Sequence, residues 1–356
     1  MKRSILIAFV LICTLALTSC SEAGKTPETD KEGPKFSIAI HGGAGALAKG
    51  SYTPEQEAQF KAKLEEATKL GYDMLARGDS ATDVVVAVIK ILEDSPLFNA
   101  GKGSVITYNG KIKMDAAIMN GRTLDCGTIN NVQRIKNPIT AARMVMDSSR
   151  YIMFSSAGAE SFAEKNGIEM VDKSYFYTPH QIERWRKSKD STDAKYIQYV
   201  DSMAALQTPT LSAIPEEGEF GTVGCVVMDK YGNLAAGTST GGLVNKKYNR
   251  IGDSPIIGAG TYANNKTCAI SCTGTGEDFI KTVAAKTVAD MIEFKGMSLE
   301  AATYDMIHVR FKEITGDGGM IAVDKYGNIS FQYNSDGMFR AKTDQSGKIE
   351  TYIYEK

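Results

Sequence analysis

The chain has 356 residues and a net charge of −1, room for one large domain or two modest ones and too balanced to favour nucleic acid. Its three histidines, His41, His180 and His308, are scattered without metal-ligand spacing. A zinc site or a Ser-His-Asp triad is therefore poorly supplied.

Lys2 and Arg3 precede an apolar run from Ile5 to Leu17, too short for a comfortable bilayer span, and Leu17-Thr18-Ser19-Cys20 resembles a bacterial lipobox. Residues 1–19 are expected to be a lipoprotein signal peptide, with Cys20 the first mature, lipid-bearing residue of a membrane-anchored envelope protein. Ser21 after it favours the outer membrane; an ordinary secretory signal cut nearby is the alternative. Residues 20–35 carry Pro27, Pro34 and many charges but almost no large apolar side chains, and read as a tether.

Phe36 to Ile40 alternates as a strand and runs into His41-Gly42-Gly43-Ala44-Gly45, expected as a glycine-rich turn able to cradle an anion. It lacks the ending of a phosphate loop and the spacing of a dinucleotide fingerprint. Thr53-Pro54-Glu55-Gln56 is a capping box, and Phe60, Leu64, Ala67, Leu70 and Met74 follow at helical spacing. Asp83 to Leu92 fits a strand or a buried helix, and its length and the preceding Ser80 and Thr82 favour the helix. Asn109-Gly110 predicts a hairpin over Ser104 to Met119. Asn137-Pro138 predicts a helix to about Met146, and another covers Ser161 to Asn166. Tyr175 to Phe220, dense in charge with scattered prolines, predicts a flexible linker ending at Gly221.

After that linker, Val223 to Met228 and Leu234 to Thr238 read as strands joined by the turn Asp229-Lys230-Tyr231-Gly232-Asn233. A bulge-free hairpin centred on Tyr231 sets Thr222 opposite Thr240, with Cβ atoms about 4.5–5.5 Å apart. Two facing hydroxyls after a glycine suit a nucleophile that cuts its own chain at Gly221-Thr222; they equally suit a β-hairpin rich in β-branched residues. In the catalytic reading the new α-amine, with a pKa of about 7.7–8.0, serves as the base, so no histidine is needed. Further on, a strand is expected near Ala269 to Cys272, helices over Asp278 to about Phe294 and Ser298 to about Ile314, and a hairpin over Gly319 to Ile329. Strands at both ends with helices grouped between them suggest an α+β or layered sheet-on-sheet protein. Cys268 and Cys272 lie too far apart along a strand to bridge each other, and buried free thiols are expected.

Arg250 and Asp253 offer a guanidinium and a carboxylate matching the α-carboxylate and α-amine of an amino acid; a surface ion pair is the plain alternative. Cys272-Thr273-Gly274-Thr275-Gly276-Glu277 ends a strand and opens a helix, with hydroxyls and amides able to hold an oxyanion or simply to cap the helix.

His41 to Ala46, Phe98-Asn99-Ala100-Gly101, Gly221 to Gly224, Thr238 to Gly242, Arg250 to Pro255 and Thr273 to Glu277 together resemble the plant-type asparaginase or isoaspartyl peptidase family of N-terminal-nucleophile hydrolases. The resemblance spans about Phe36 to Arg340. It implies a four-layer αββα sandwich, with residues 36–221 and 222–356 as the α and β subunits of one catalytic domain, assembled as a dimer of heterodimers. It implies Thr222 as nucleophile, Thr240 as its helper, Asn99 as an organiser, and Thr273 and Gly274 at the oxyanion hole. Arg250, Asp253, Thr273 and Gly276 would hold the substrate. No cofactor is implied for the chemistry, but Leu92 to Lys102 resembles a loop that binds a structural sodium through backbone carbonyls, here those of Leu92, Glu93, Ser95, Phe98, Ala100 and Lys102. Ser95 and Lys102 depart from the common residues. The implied activity is release of L-aspartate from β-aspartyl dipeptides and L-asparagine. The alternatives are a glycosylasparaginase and, in another class, a non-catalytic lipoprotein that binds amino acids or peptides.

Overall fold

The computed structural model describes residues 35–45, 47–188, 193–206 and 221–354. The expected signal peptide, Cys20 and the tether up to Pro34 lie outside the described residues, as do 207–220 of the expected linker. Among the described residues no helix is long and apolar enough to cross a membrane.

In chain order the first elements are β1 (Ser37–Gly45), α1 (Pro54–Arg77), α2 (Ala81–Asp94), β2 (Met114–Asn120), β3 (Cys126–Val132) and α3 (Pro138–Ser148). They are followed by β4 (Met153–Ser155), α4 (Ser156–Lys165), α5 (Pro179–Lys187), α6 (Ala194–Ala205), β5 (Val223–Met228) and β6 (Leu234–Thr240). The last third adds β7 (Thr261–Ala263), β8 (Cys268–Gly274), α7 (Gly276–Thr282), α8 (Ala284–Lys295) and α9 (Leu299–Tyr304). Four strands finish the fold: β9 (Gly318–Asp324), β10 (Ile329–Tyr333), β11 (Gly337–Asp344) and β12 (Glu350–Tyr354).

The strands form an eight-stranded sheet, ordered β12-β11-β1-β5-β6-β2-β3-β4, and a four-stranded sheet, ordered β10-β9-β8-β7. The central strands are buried on both faces, so the two faces of each serve different layers. From β1 and β5, Ile38, Ile40, Val223, Cys225 and Val227 join a core with α1, α2 and α3. Ala39, Val226 and Met228, from the opposite face, join a second core with β8, β9, α8 and α9. Helices, sheet, sheet, helices is the αββα arrangement, an α+β fold.

The α1 capping box forms as the sequence predicts: Thr53 Oγ1 accepts from Gln56 N at 3.3 Å and Gln56 Oε1 from Thr53 N at 2.9 Å. Residues 83–92 are helical, within α2, because Val84, Val85, Val88, Ile89 and Leu92 bury one face. The β5–β6 register runs without a bulge from Val223↔Ser239 to Met228↔Leu234, centred on Tyr231 as expected. The four described cysteines are free.

Four expectations are corrected. His41 to Gly45 is not a turn: β1 continues through it, with a bulge between His41 and Gly43 where it pairs with β11. Asn109-Gly110 does make a turn, with Ile106 bridging Ile112, but the following strand leaves it to pair with β6 and β3. The helix expected from Asp278 breaks at Val283, whose φ of 46° separates α7 from α8. The linker expectation fails where the chain is described, because a 3₁₀ turn (Lys173–Phe176), α5 and α6 occupy it and bury Phe176, Tyr177 and Trp185. Thr178-Pro179-His180-Gln181 opens α5 as Thr53-Pro54-Glu55-Gln56 opens α1, with Thr178 Oγ1 accepting from Gln181 N at 3.4 Å.

Candidate active site

Thr222 sits just before β5 and Thr240 at the end of β6, so extending the hairpin register by one residue brings them face to face. Thr222 Oγ1 donates to Thr240 Oγ1 at 3.0 Å, and both residues are buried. Thr240 Oγ1 also accepts from Gly242 N at 3.0 Å, which fixes its lone pairs.

Asn99 holds the chain that follows Thr240. Its Nδ2 donates to Gly242 O at 2.7 Å, its own carbonyl accepts from Gly241 N at 3.0 Å, and its Oδ1 accepts from Val105 N at 3.0 Å. An amide side chain is needed here, because one group must donate while the other accepts.

On the far side of Thr222, β8 of the smaller sheet brings Thr273. Its Oγ1 accepts from Ala44 N at 3.2 Å. Gly221 is wedged into the same gap: a Cβ added to it would lie 2.6 Å from Thr273 Oγ1 and 2.7 Å from Gly43 Cα. Only glycine fits there.

Arg250 does not pair with Asp253. It forks onto Glu277, Nε to Oε1 at 2.9 Å and Nη2 to Oε2 at 2.6 Å, and this pairing holds the Glu277 carboxyl below its usual value. Gly276 lies between Arg250 and Asp253, its would-be Cβ 2.8 Å from Arg250 Nη2 and 2.9 Å from Asp253 Oδ1. Asp253 Oδ2 is buried without a hydrogen-bond partner among the described residues. Burial is the main reason its carboxyl is pushed up to about 7. A cation placed there would pull it back down.

His41 lies beside the pair, with Nε2 2.9 Å from Ser271 Oγ. Burial pushes it down to about 3, against a hydrogen bond with the Thr222 backbone that raises it. It is neutral near pH 7 and is not poised as a proton carrier.

A cleft of about 240 Å³ joins Thr222, Thr240, Asn99, Arg250, Asp253 and Gly274. Thr273 lies at its wall, buried behind Gly221. Arg184, from α5, also lines the cleft and was missed because its segment reads as a linker. The repeated Thr-Pro-x-Gln box was the signal for that helix.

Leu92 to Lys102, the loop expected to hold sodium, curls back on itself. Glu93 O lies 2.3 Å from where a Cβ on Gly101 would stand, and Phe98 O 2.0 Å from one on Gly103. Phe98 O and Ala100 O each accept one amide, which leaves a second lone pair. No cluster of His, Cys, Asp or Glu suited to a metal occurs among the described residues. A donor set of backbone oxygens fits a hard cation.

A family model described as asparaginase matches residues 34–353. The chain belongs to the asparaginase family. It is 43% identical over 310 residues to the isoaspartyl peptidase of Salmonella typhimurium, covering 86% of this chain and 95% of that one. It is 40% identical over 331 residues to a probable isoaspartyl peptidase/L-asparaginase 2 of Arabidopsis thaliana, covering 90% and 99%. To the plant-type L-asparaginase of Pyrococcus horikoshii it is 40% identical over 302 residues, covering 85% and 94%. Membership of this enzyme family sets aside the non-catalytic binding protein.

Proposed function

We propose that the chain is made as a precursor, cuts itself between Gly221 and Thr222, and then hydrolyses β-aspartyl dipeptides and L-asparagine. The observation that carries this reading is the 3.0 Å contact of Thr222 Oγ1 with Thr240 Oγ1, beside a Gly221 that nothing larger could replace.

In the precursor, Thr222 Oγ1 attacks the Gly221 carbonyl. A C–O bond forms, the C–N bond breaks, and the proton of the hydroxyl passes to the departing amine. Water then opens the ester, releasing the Gly221 carboxylate and restoring the Thr222 hydroxyl beside its free α-amine. In the mature enzyme that amine takes the Thr222 hydroxyl proton while the oxygen attacks the substrate's side-chain carbonyl. Thr240 hydrogen-bonds the nucleophile, and the Thr273 hydroxyl and Gly274 amide stabilise the oxyanion. The leaving amine departs with a proton, and water hydrolyses the β-aspartyl ester on Thr222. No cofactor takes part.

Substrate selection follows from charge. Arg250 receives the α-carboxylate and shares its fork with Glu277, while the α-ammonium meets Asp253 and the Gly276 carbonyl. The Leu92–Lys102 loop would hold a sodium ion through its carbonyls, stiffening the ground beneath Asn99.

From the resemblance and the leader alone, we further infer a dimer of cleaved heterodimers, anchored by lipid at Cys20 in the cell envelope. Size-exclusion mass measurement and metabolic lipid labelling of Cys20 test these; a monomer, or an unlabelled cysteine, would remove them. The activity itself is tested by rates on β-aspartyl-leucine, L-asparagine and N-glycosylated asparagine. Turnover of the first two is expected, and preference for the glycosylated substrate would replace this reading with a glycosylasparaginase.

A further inference from the structure

Beside the cleft is a larger cavity of about 580 Å³, bounded by Tyr108, Lys113, Tyr196, Lys247 and Tyr248. The two adjoin through neighbouring residues. Gly242 lines the cleft and packs on the Lys246 ammonium, with its would-be Cβ 2.7 Å from Nζ, while Lys246 lines the cavity. Asn249 in the cavity directly precedes Arg250 in the cleft.

The chain segments that line the cleft lead into this cavity. The oxyanion donors, Thr273 and Gly274, belong to the smaller sheet, so the amine leaves the tetrahedral carbon on another side. Asn99, Val105 and Gly242 to Val244, from the larger sheet's side of the chain, also line the cleft, and both segments run on into the cavity at Thr107 and Lys246.

The cavity is cationic. Lys246 is neutralised by buried Asp115, Nζ to Oδ2 at 3.5 Å. Lys113 and Lys247 form no ion pair among the described residues: Lys113 donates to Asn249 Oδ1, and the Lys247 ammonium stands 4.3 Å from the centre of the Tyr108 ring. Partial burial first, then the nearby Lys111 and Lys246, hold Lys113 below its usual pKa, against Asp115, which raises it. Among the described residues, none lining the cavity is acidic.

We propose that this cavity is the leaving-group subsite, in which Lys113 and Lys247 take the free α-carboxylate of the amino acid released from a β-aspartyl dipeptide. Tyr108 and Tyr196 offer ring surface to its side chain. The inference rests on the dipeptide reading above. L-Asparagine, which releases ammonia, has nothing to place there and serves as an internal control.

The test compares the processed wild-type enzyme with a Lys113→Met, Lys247→Ala double variant on β-aspartyl-leucine, its C-terminal amide and L-asparagine. In the variant, kcat/KM on the free-acid dipeptide should fall roughly tenfold, the joint effect of two partly exposed ion pairs, with L-asparagine unchanged. The wild type should disfavour the amide by a similar factor, less so at high salt, and the variant should not distinguish amide from acid. An equal fall on dipeptide and asparagine would overturn the subsite, as would a free-acid preference that survives in the variant or is absent from the wild type. Wild-type enzyme that hydrolyses asparagine but neither dipeptide would instead refute the dipeptide reading itself, and the subsite with it.

Discussion

Gly43 and Gly221 meet backbone to backbone: a Cβ on Gly43 would stand 2.5 Å from the Gly221 nitrogen, and Gly43 has a φ of +114°. The β1 bulge at Gly43 therefore sets the position of the proposed scissile peptide. Gly43→Ala is expected to slow self-cleavage about a hundredfold, the effect of moving reacting atoms by roughly an ångström. Processing followed by denaturing gel checks this. Cleavage at the wild-type rate would mean that the contact does not position the bond.

Asp253 links pH to substrate binding. Its folded value of about 7 lies above the usual 3.8, with burial the largest cause. Only the ionised form attracts the substrate ammonium, so KM should rise as pH drops below about 7. The α-amine of Thr222 acts on kcat as well, which separates the two. The stability sign is the reverse: the native carboxyl keeps a proton that the unfolded chain releases, so this residue weakens the fold as pH climbs from about 4 to about 7. Glu93, pushed up to about 8 chiefly by burial, acts in the same direction. KM profiles and urea unfolding across this range check both; a KM flat with pH would remove Asp253 from ammonium binding.

Trp185 tests whether α5 belongs to the folded body. It is buried and donates from Nε1 to Thr107 O at 2.9 Å. Trp185→Ala should destabilise by about 3–5 kcal/mol in urea unfolding, since it opens a cavity and orphans that carbonyl. A loss below about 0.5 kcal/mol, as at a surface site, would contradict the packing.

Local chemistry made much of this site readable. The Asp229 to Asn233 turn fixed its own centre, and the hairpin register then carried Thr222 to Thr240 by counting alone. What stayed hidden depends on distant partners. Asn334-Ser335-Asp336-Gly337 leading into β11 reads as a hairpin turn, yet β11 leaves β10 in the smaller sheet and pairs with the distant β1. The break at Val283 puts a β-branched residue in the left-handed region, where sequence preference argues against it. The Arg250–Glu277 fork joins residues 27 positions apart, whereas the sequence offered only the nearer Asp253 as an alternative ion-pair partner. The α5 box was legible in principle, but surrounding charge and proline masked it.

The carbonyl-lined loop at Leu92–Lys102 predicts a sodium effect on stability. Exchanging sodium for tetramethylammonium at equal ionic strength should lower Tm by about 2–4 °C for each kcal/mol of ion binding. Identical melting curves in the two salts would remove the ion.

The central claim is that Thr222 is both nucleophile and new chain end, and intact mass with N-terminal sequencing of purified wild type and Thr222→Ala tests it most directly. The account predicts a wild-type fragment beginning at Thr222 and a variant that stays uncut and inactive. An uncut wild-type chain that still hydrolyses substrate, or normal cutting in the variant, would contradict it.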